Sequence, residues 1–298
     1  MRLKRIDFRN ALPLLSVAVL LTVGCGGDDT KDTDDLPPVD STQSAIINVN
    51  GEIFSIPSPI QTAFLLKKSG AVYNKEVLNA ASKSAQYATN FSKALNLGIY
   101  GADLGYVTIY DQTQDAIGYL NSAKKLADEL GVSGAFDTQI LERFQKNLGN
   151  KDSMLALVGV AYRSSDAYLK NNDRSDVSAL VLAGGWIESL FFATNVYTTK
   201  SNEDIKRRIA EQKPSLQSLI KLLTQYYSQP EYTEFIDNLN DLSTVFDGVE
   251  FKYTYEKPST DADKKMTTVN SKTEVKISPE QIESITQKIK SIRSQIVG

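Results

Sequence analysis

The chain has 298 residues, a formal net charge of −3, a sequence pI near 5.3, no histidine and one cysteine, Cys25. Without imidazole there is no Ser-His or Cys-His couple, no histidine general base and no histidine ligand for zinc, haem or non-haem iron; catalysis would have to rest on carboxylates, Lys, Tyr or Ser-Lys pairs. Dispersed basic residues on an acidic chain match a phosphate backbone poorly, so no nucleic-acid partner is expected, and a single cysteine allows no internal disulfide.

Arg2, Lys4, Arg5 and Arg9 precede an uncharged apolar run at 11–23, which Gly24-Cys25 closes. That layout reads as an export signal over 1–24. A membrane span takes roughly 20 apolar residues; this run is shorter, and Pro13 interrupts it. Next, residues 25–44 set Asp28, Asp29, Asp32, Asp34, Asp35 and Asp40 against Lys31 alone, with Pro37-Pro38 as a stiff point. With almost nothing apolar to bury, this segment is expected to be a disordered acidic tether.

Leu21-Thr22-Val23-Gly24-Cys25 resembles a bacterial lipobox, with Thr22 where that family usually carries Leu. The resemblance implies that Cys25 becomes the lipid-modified first residue of the mature protein, which would explain the lone thiol. An ordinary signal peptide or an uncleaved anchor is the alternative. The acidic residues after Cys25 resemble the surface-export signal of lipoproteins in the Bacteroidetes; a solvated spacer uses the same residues, because charged linkers extend by self-repulsion.

The body begins with two β-branched runs around Asn50-Gly51, the signature of a tight hairpin over 45–56. Ser58-Pro59-Ile60-Gln61 reads as a capping box opening a helix that ends at Gly70. Asn74 is expected to cap a second helix bearing Val77, Leu78 and Ala81. Thr89-Asn90 open a third with Phe91, Ala94 and Leu95, interrupted at Gly98 and Gly101, after which Asp103 caps a helix to Tyr110. Ala116, Leu120, Ala123, Ala127 and Leu130 form a regular stripe stopped by Gly131.

Asp137 is expected to cap a helix with Ile140, Leu141, Phe144 and Leu148, ended at Gly149; Asp152 caps one with Met154, Leu157, Val158, Ala161, Tyr162, Ser165 and Leu169. Asp176 then caps residues 177–197, apolar nearly all round apart from Glu188 and therefore the predicted central helix. Residues 202–227 are helical, with Pro214 marking a kink or a boundary, and 230–246 form another helix ending at Gly248. Residues 250–256 alternate, placing Phe251, Tyr253 and Tyr255 on one face; with the Thr- and Val-rich stretch at 266–277 they suggest a second hairpin with a long loop. Ser278-Pro279-Glu280-Gln281 repeats the capping signature and opens a last helix with Ile282, Ile285, Ile289, Ile292 and Ile296 on one face.

The expected architecture is mainly α: a multi-helix bundle or array over 45–298, with a helical core at about 58–247, a small β-hairpin near each end and a C-terminal helix. A carboxylate such as Glu188 in an apolar helix must be paired or face a cleft, and Gly184, Gly185 and Trp186 beside it leave room for a ligand or for close helix packing. Asp103, Tyr106 and Tyr110, with Asp111, form a second polar-aromatic candidate at helical spacing. The isoleucine stripe is a candidate partner seam, although two heptads more simply dock on the chain's own body. Phe251, Tyr253 and Tyr255 suit a sugar or peptide platform, although such a row more simply covers a core. Ser122-x-x-Lys125 and Ser218-x-x-Lys221 lack the companion motifs of penicillin-binding proteins and are set aside, and no second copy supports a repeat array at a period of about 34 residues.

The acidic tether and the helical body, from KALNLGIYGADLGYVTIYDQTQDAIGYL onward, are similar to uncharacterised helical lipoproteins of the Bacteroidetes, a resemblance that brings no activity with it. The functional expectation is a non-enzymatic binding or scaffolding module, lipid-anchored through Cys25 in the cell envelope at the outer membrane, with envelope proteins or glycan as partners and no cofactor or metal. The alternatives are a small-ligand or glycan receptor with a cleft near Glu188 and Trp186, and a carboxylate hydrolase with two acids across a groove.

Overall fold

The structure, a computed structural model, describes residues 45–49, 52–56, 58–135, 142–144, 146–147, 150, 152–157, 159–160, 174–261 and 265–298, with backbone alone over 45–56. The export signal, Cys25, the tether, Asp137, Ile140, Leu141, Leu148, Gly149, Val158 and the face at 161–169 lie outside these residues. The described chain is a mainly α-helical array with short antiparallel ladders near each end and a C-terminal helix, as the sequence pattern predicts. The first ladder pairs β1 (Ala45–Val49) with β2 (Glu52–Ile56) in the register of a two-residue connection, Val49 opposite Glu52.

The core is organised around two closely packed helices, α2 (Asn90–Ile109) and α4 (Ser175–Thr199), each buried over most of its length. Helix α1 (Pro59–Lys68) packs on both, and α3 (Thr113–Glu129) covers the other side of α2. The short α5 (Glu203–Ala210) rests on α4, and α6 (Gln212–Thr224) pairs with α7 (Pro230–Phe246). The C-terminal helix α8 (Pro279–Val297) lies across α4 and α7 and touches α2. By length and composition α4 could cross a membrane, but here 89% of its apolar window is buried inside the body.

Helix α2 departs from the predicted break at Gly98 and Gly101. It runs uninterrupted from a capping box in which Thr89 Oγ1 accepts from the Ser92 N–H at 3.1 Å, and Asp103 is buried in mid-helix rather than capping anything. The glycines serve the close approach of the two helices. A Cβ on Gly98 would collide with the Val181 carbonyl oxygen, and one on Gly184 with the Leu95 carbonyl oxygen, so α2 and α4 meet backbone to backbone. Each glycine costs about 1 kcal/mol of helix propensity, which the close packing at that contact offsets.

Other capping expectations are redistributed. Asn74 caps only a 3-10 turn, Lys75–Val77, accepting from the Glu76 N–H at 2.9 Å; Leu78 is extended, Asn79 is buried, and a second 3-10 turn follows at Ala81–Ala85. The α-helix expected there does not form. Asn79 instead donates to Tyr87 Oη at 2.8 Å and to Asn96 Oδ1 at 3.1 Å, fixing the turn to α2. Asn150, not Asp152, accepts from the Ser153 N–H at the start of the 152–157 stretch, and Asp176 sits inside the first turn of α4 rather than at its cap. Pro214 marks a boundary: it falls in the first turn of α6, where its missing N–H costs little.

The two Ser-Pro-x-Gln signatures part ways. At α8 the box closes, with Gln281 N–H to Ser278 Oγ at 3.2 Å and Ser278 N–H to Gln281 Oε1 at 2.8 Å. At α1, Ser58 makes no side-chain cap bond, and the Gln61 N–H bonds the Ser58 carbonyl instead. Gly248, whose missing side chain leaves space for Gln281, belongs to the α8 setting alone.

Between α7 and α8 the chain extends a two-part ribbon. β3 (Glu250–Thr254) pairs antiparallel with β6 (Lys272–Lys276), and β4 (Ser259–Asp261) with β5 (Met266–Thr268), so the expected long loop carries a ladder of its own. At the root, Val249 and Ile277 are buried, and Lys213 Nζ donates to the Asp247 and Val249 carbonyls at 3.0 Å each.

Candidate functional site

The one charged cluster inside the described body joins α2, α4 and α8. Glu188 lies one turn beyond Gly184, and Asp103 just over one turn beyond Gly98, so the close approach brings both acids to the seam between the helices. Both are fully buried, at 0% exposure. Arg293 enters from α8: Nε donates to Glu188 Oε2 at 2.5 Å, and Nη2 donates to Glu188 Oε1 at 2.6 Å and to the Val77 carbonyl at 2.9 Å. Its guanidinium lies 4.2 Å from the centre of the Phe191 ring.

Asp103 has no comparable partner. The Asn79 backbone N–H approaches it, but neither carboxylate oxygen has a well-formed hydrogen bond from a donor among the described residues. Burial, then the Glu188 charge, pushes the Asp103 carboxyl well above the usual carboxylate range, with Arg293 pulling back. Burial also raises Glu188, against the opposing pull of Arg293. Around the cluster, Asn96 Nδ2 donates to the Ile296 carbonyl at 3.0 Å and Lys83 Nζ to the Val297 carbonyl at 3.2 Å, satisfying carbonyls that the end of a helix leaves open.

The residues of the two expected ligand sites, Glu188 with Trp186 and Asp103 with Tyr106 and Tyr110, are found in three places. Asp103 and Glu188 meet, sealed from solvent. Trp186 turns toward α6, its Nε1 donating to Gln212 Oε1 at 3.0 Å in a buried contact. Tyr106 and Tyr110 pack with ring centres 4.7 Å apart and planes tilted by 40°, beside Tyr73 and Phe192; Tyr106 Oη accepts from the Asn74 N–H, and Tyr110 Oη donates to the Ala71 carbonyl. Glu188 and Trp186 are 0% and 1% exposed, so among the described residues neither side chain faces an open cleft. The acids that do converge have no groove between them for a substrate.

The isoleucine stripe is likewise spent on the body. Ile282, Ile285, Ile289 and Ile292 are buried and Ile296 is half-buried, against α4, α7 and α2. Arg293 is the residue that the sequence pattern did not single out. It sits four residues after Ile289, on the flank of the apolar stripe, and that position was the available signal for the cation Glu188 requires.

Among the described residues, two surface features bear on binding. A groove of about 200 Å³ runs between the start of α2, α7 and α8, floored by Phe91, Leu95, Phe235 and Ile292 and edged by Glu231 and Glu234. It is smaller than a typical small-molecule pocket of roughly 300–1,000 Å³. The ribbon is the other. Phe251, Tyr253 and Tyr255, expected to cover a core, are 41%, 64% and 68% exposed. Tyr253 pairs across the ladder with Thr273 and Phe251 with Val275, while Glu250 and Lys276, and Lys252 and Glu274, oppose each other on the reverse face.

No family model, curated protein or solved structure matches the chain.

Proposed function

We propose that this chain is a non-enzymatic binding or scaffolding module of the cell envelope, held at the membrane through Cys25, with the β3–β6 ribbon as its binding element. The observation that carries this reading is the exposed row Phe251, Tyr253 and Tyr255 on a ribbon rooted in, but not covered by, the helical body. An isolated two-stranded ribbon is marginal in water, and uncovered aromatics gain by meeting a surface. Tyrosine combines a flat apolar ring with a polar tip, which suits an envelope protein segment or a glycan chain.

The test places a photo-crosslinking residue at Tyr253 and, separately, at the exposed helical position Glu283 of the full chain in its native envelope. A discrete adduct from the ribbon alone is expected, weakened by Tyr255→Ser; equal or absent adducts at both positions would sink the binding role. Cys25→Ser is expected to release the protein from the membrane fraction and change the processed mass. Unchanged partitioning would overturn the anchor.

A further inference from the structure

We propose that Asp103, Glu188 and Arg293 form a closed site for a single proton, carried on Asp103 and donated to Glu188, at the buried junction of α2, α4 and α8.

The reasoning starts from which groups are already committed. Both oxygens of Glu188 are taken by Arg293, whose remaining contact goes to the Val77 carbonyl. Asp103, fully buried, therefore has no counter-ion of its own and no well-formed donor on either oxygen. A bare carboxylate in that position is prohibitively unfavourable, whereas the neutral acid is not. As the acid, Asp103 becomes a donor, and the Glu188 carboxylate beside it is the acceptor. Two carboxyls, one guanidinium and one proton sum to zero charge.

No other group facing the cluster supplies the missing charge. Asn79 and Tyr87 face it from the 3-10 segment, Tyr100 from α2, Tyr119 from α3 and Tyr73 from the loop after α1. Burial pushes the Tyr73, Tyr100 and Tyr119 phenols up, so they stay neutral. Among the described residues, Glu188 on α4 and Arg293 on α8 are then the charges that act on Asp103. A metal ion fits poorly: among the described residues no third carboxylate or cysteine joins the pair, and the ion would find two Asp103 oxygens beside a guanidinium.

The site makes folding take up a proton. An unfolded aspartate releases its proton at about pH 4, while the folded site retains it to higher pH. Stability is therefore full below about pH 4, and the folding equilibrium constant falls about tenfold per pH unit above that, levelling once the folded site itself ionises. Asp103→Asn keeps the shape and a donor toward Glu188 with no proton to lose.

The experiment measures denaturant unfolding of the full chain from about pH 5 to 9, for wild type and Asp103→Asn. The expected result is that the variant gains on wild type by about tenfold per pH unit until wild type levels. Parallel profiles would overturn the proposal. Infrared spectra of wild type with carbon-13-labelled aspartate carboxyls keep it testable even if the variant misfolds: a protonated aspartic-acid band is expected at neutral pH. Absence of that band, its appearance on labelled glutamate instead, or a stability that tracks added sodium or calcium without the band would each overturn the proposal.

Discussion

At the scale of single residues, the interior sorts its charges by which partner each can reach. Arg293 meets Glu188 through two hydrogen bonds in a site almost closed to water. Removing one partner of such a pair strands the other. Arg293→Met should therefore cost about 3–5 kcal/mol in urea unfolding, and adding Glu188→Leu should recover much of that loss, because an apolar replacement of a buried pair is often close to neutral. An uncorrected double variant would mean the arginine acts mainly through Val77 and Phe191. Glu188 was legible in the sequence, since a carboxylate among apolar helical neighbours demands an explanation, whereas Asp103 read as a cap because Gly98 and Gly101 before it suggested a helix break. The proximity of Glu188 and Asp103 was not legible, because it depends on how closely the backbones of α2 and α4 approach at Gly98 and Gly184. Arg293 was masked by a stripe whose isoleucines drew the attention and whose flank reads as ordinary solvent-facing surface.

Elements show the same division between local and non-local causes. Gly131 and Gly70 stop helices where the pattern places them, each with positive φ, a backbone state that glycine adopts without strain. Gly98 lies inside a helix because its significance is on another element, Val181 and Gly185 of α4. Gly184→Ala should consequently destabilise by at least about 1–3 kcal/mol in chemical unfolding, since the opposing atom is a backbone carbonyl that does not rotate away. A neutral alanine would show that the helices can part without penalty. The ribbon is the element that pattern reading placed correctly and covered wrongly. Alternation reveals that one face is aromatic, but not whether anything lies against it. Tyr253→Ser combined with Tyr255→Ser should shift unfolding stability by no more than about 0.5 kcal/mol, the range of ordinary surface substitutions. A larger loss would make these rings part of a core. Lys213→Met should speed amide exchange in β3 and β6 while leaving α2 protected, because Lys213 holds the ribbon root through two backbone carbonyls.

For the whole molecule, the mainly α class follows directly from helical periodicity, caps and stop signals, and the apolar run around Glu188 marks the helix that is buried over most of its length. The docking of α8 closes the body. Ile289, fully buried between α4 and α7, should cost about 2–5 kcal/mol when truncated to alanine, measured by thermal or denaturant unfolding. That loss should appear in the same cooperative transition as the Arg293 variant, because both loosen one helix. Separate transitions would show that α8 melts independently of the rest.

The ribbon is spliced between the last turn of α7 and the first turn of α8, with Gly248 nested against the Gln281 cap. Anything that grips its tip therefore pulls on both helices at one shared joint, beside the lysine clasp on α6. Mechanical load applied there reaches the isoleucine seam end-on, turn by turn, and arrives at the buried arginine only after the first turns of α8 have given way. A single-molecule pull through the ribbon should then yield at the cap before the packed pair α2 and α4, which makes this joint the molecule's fuse.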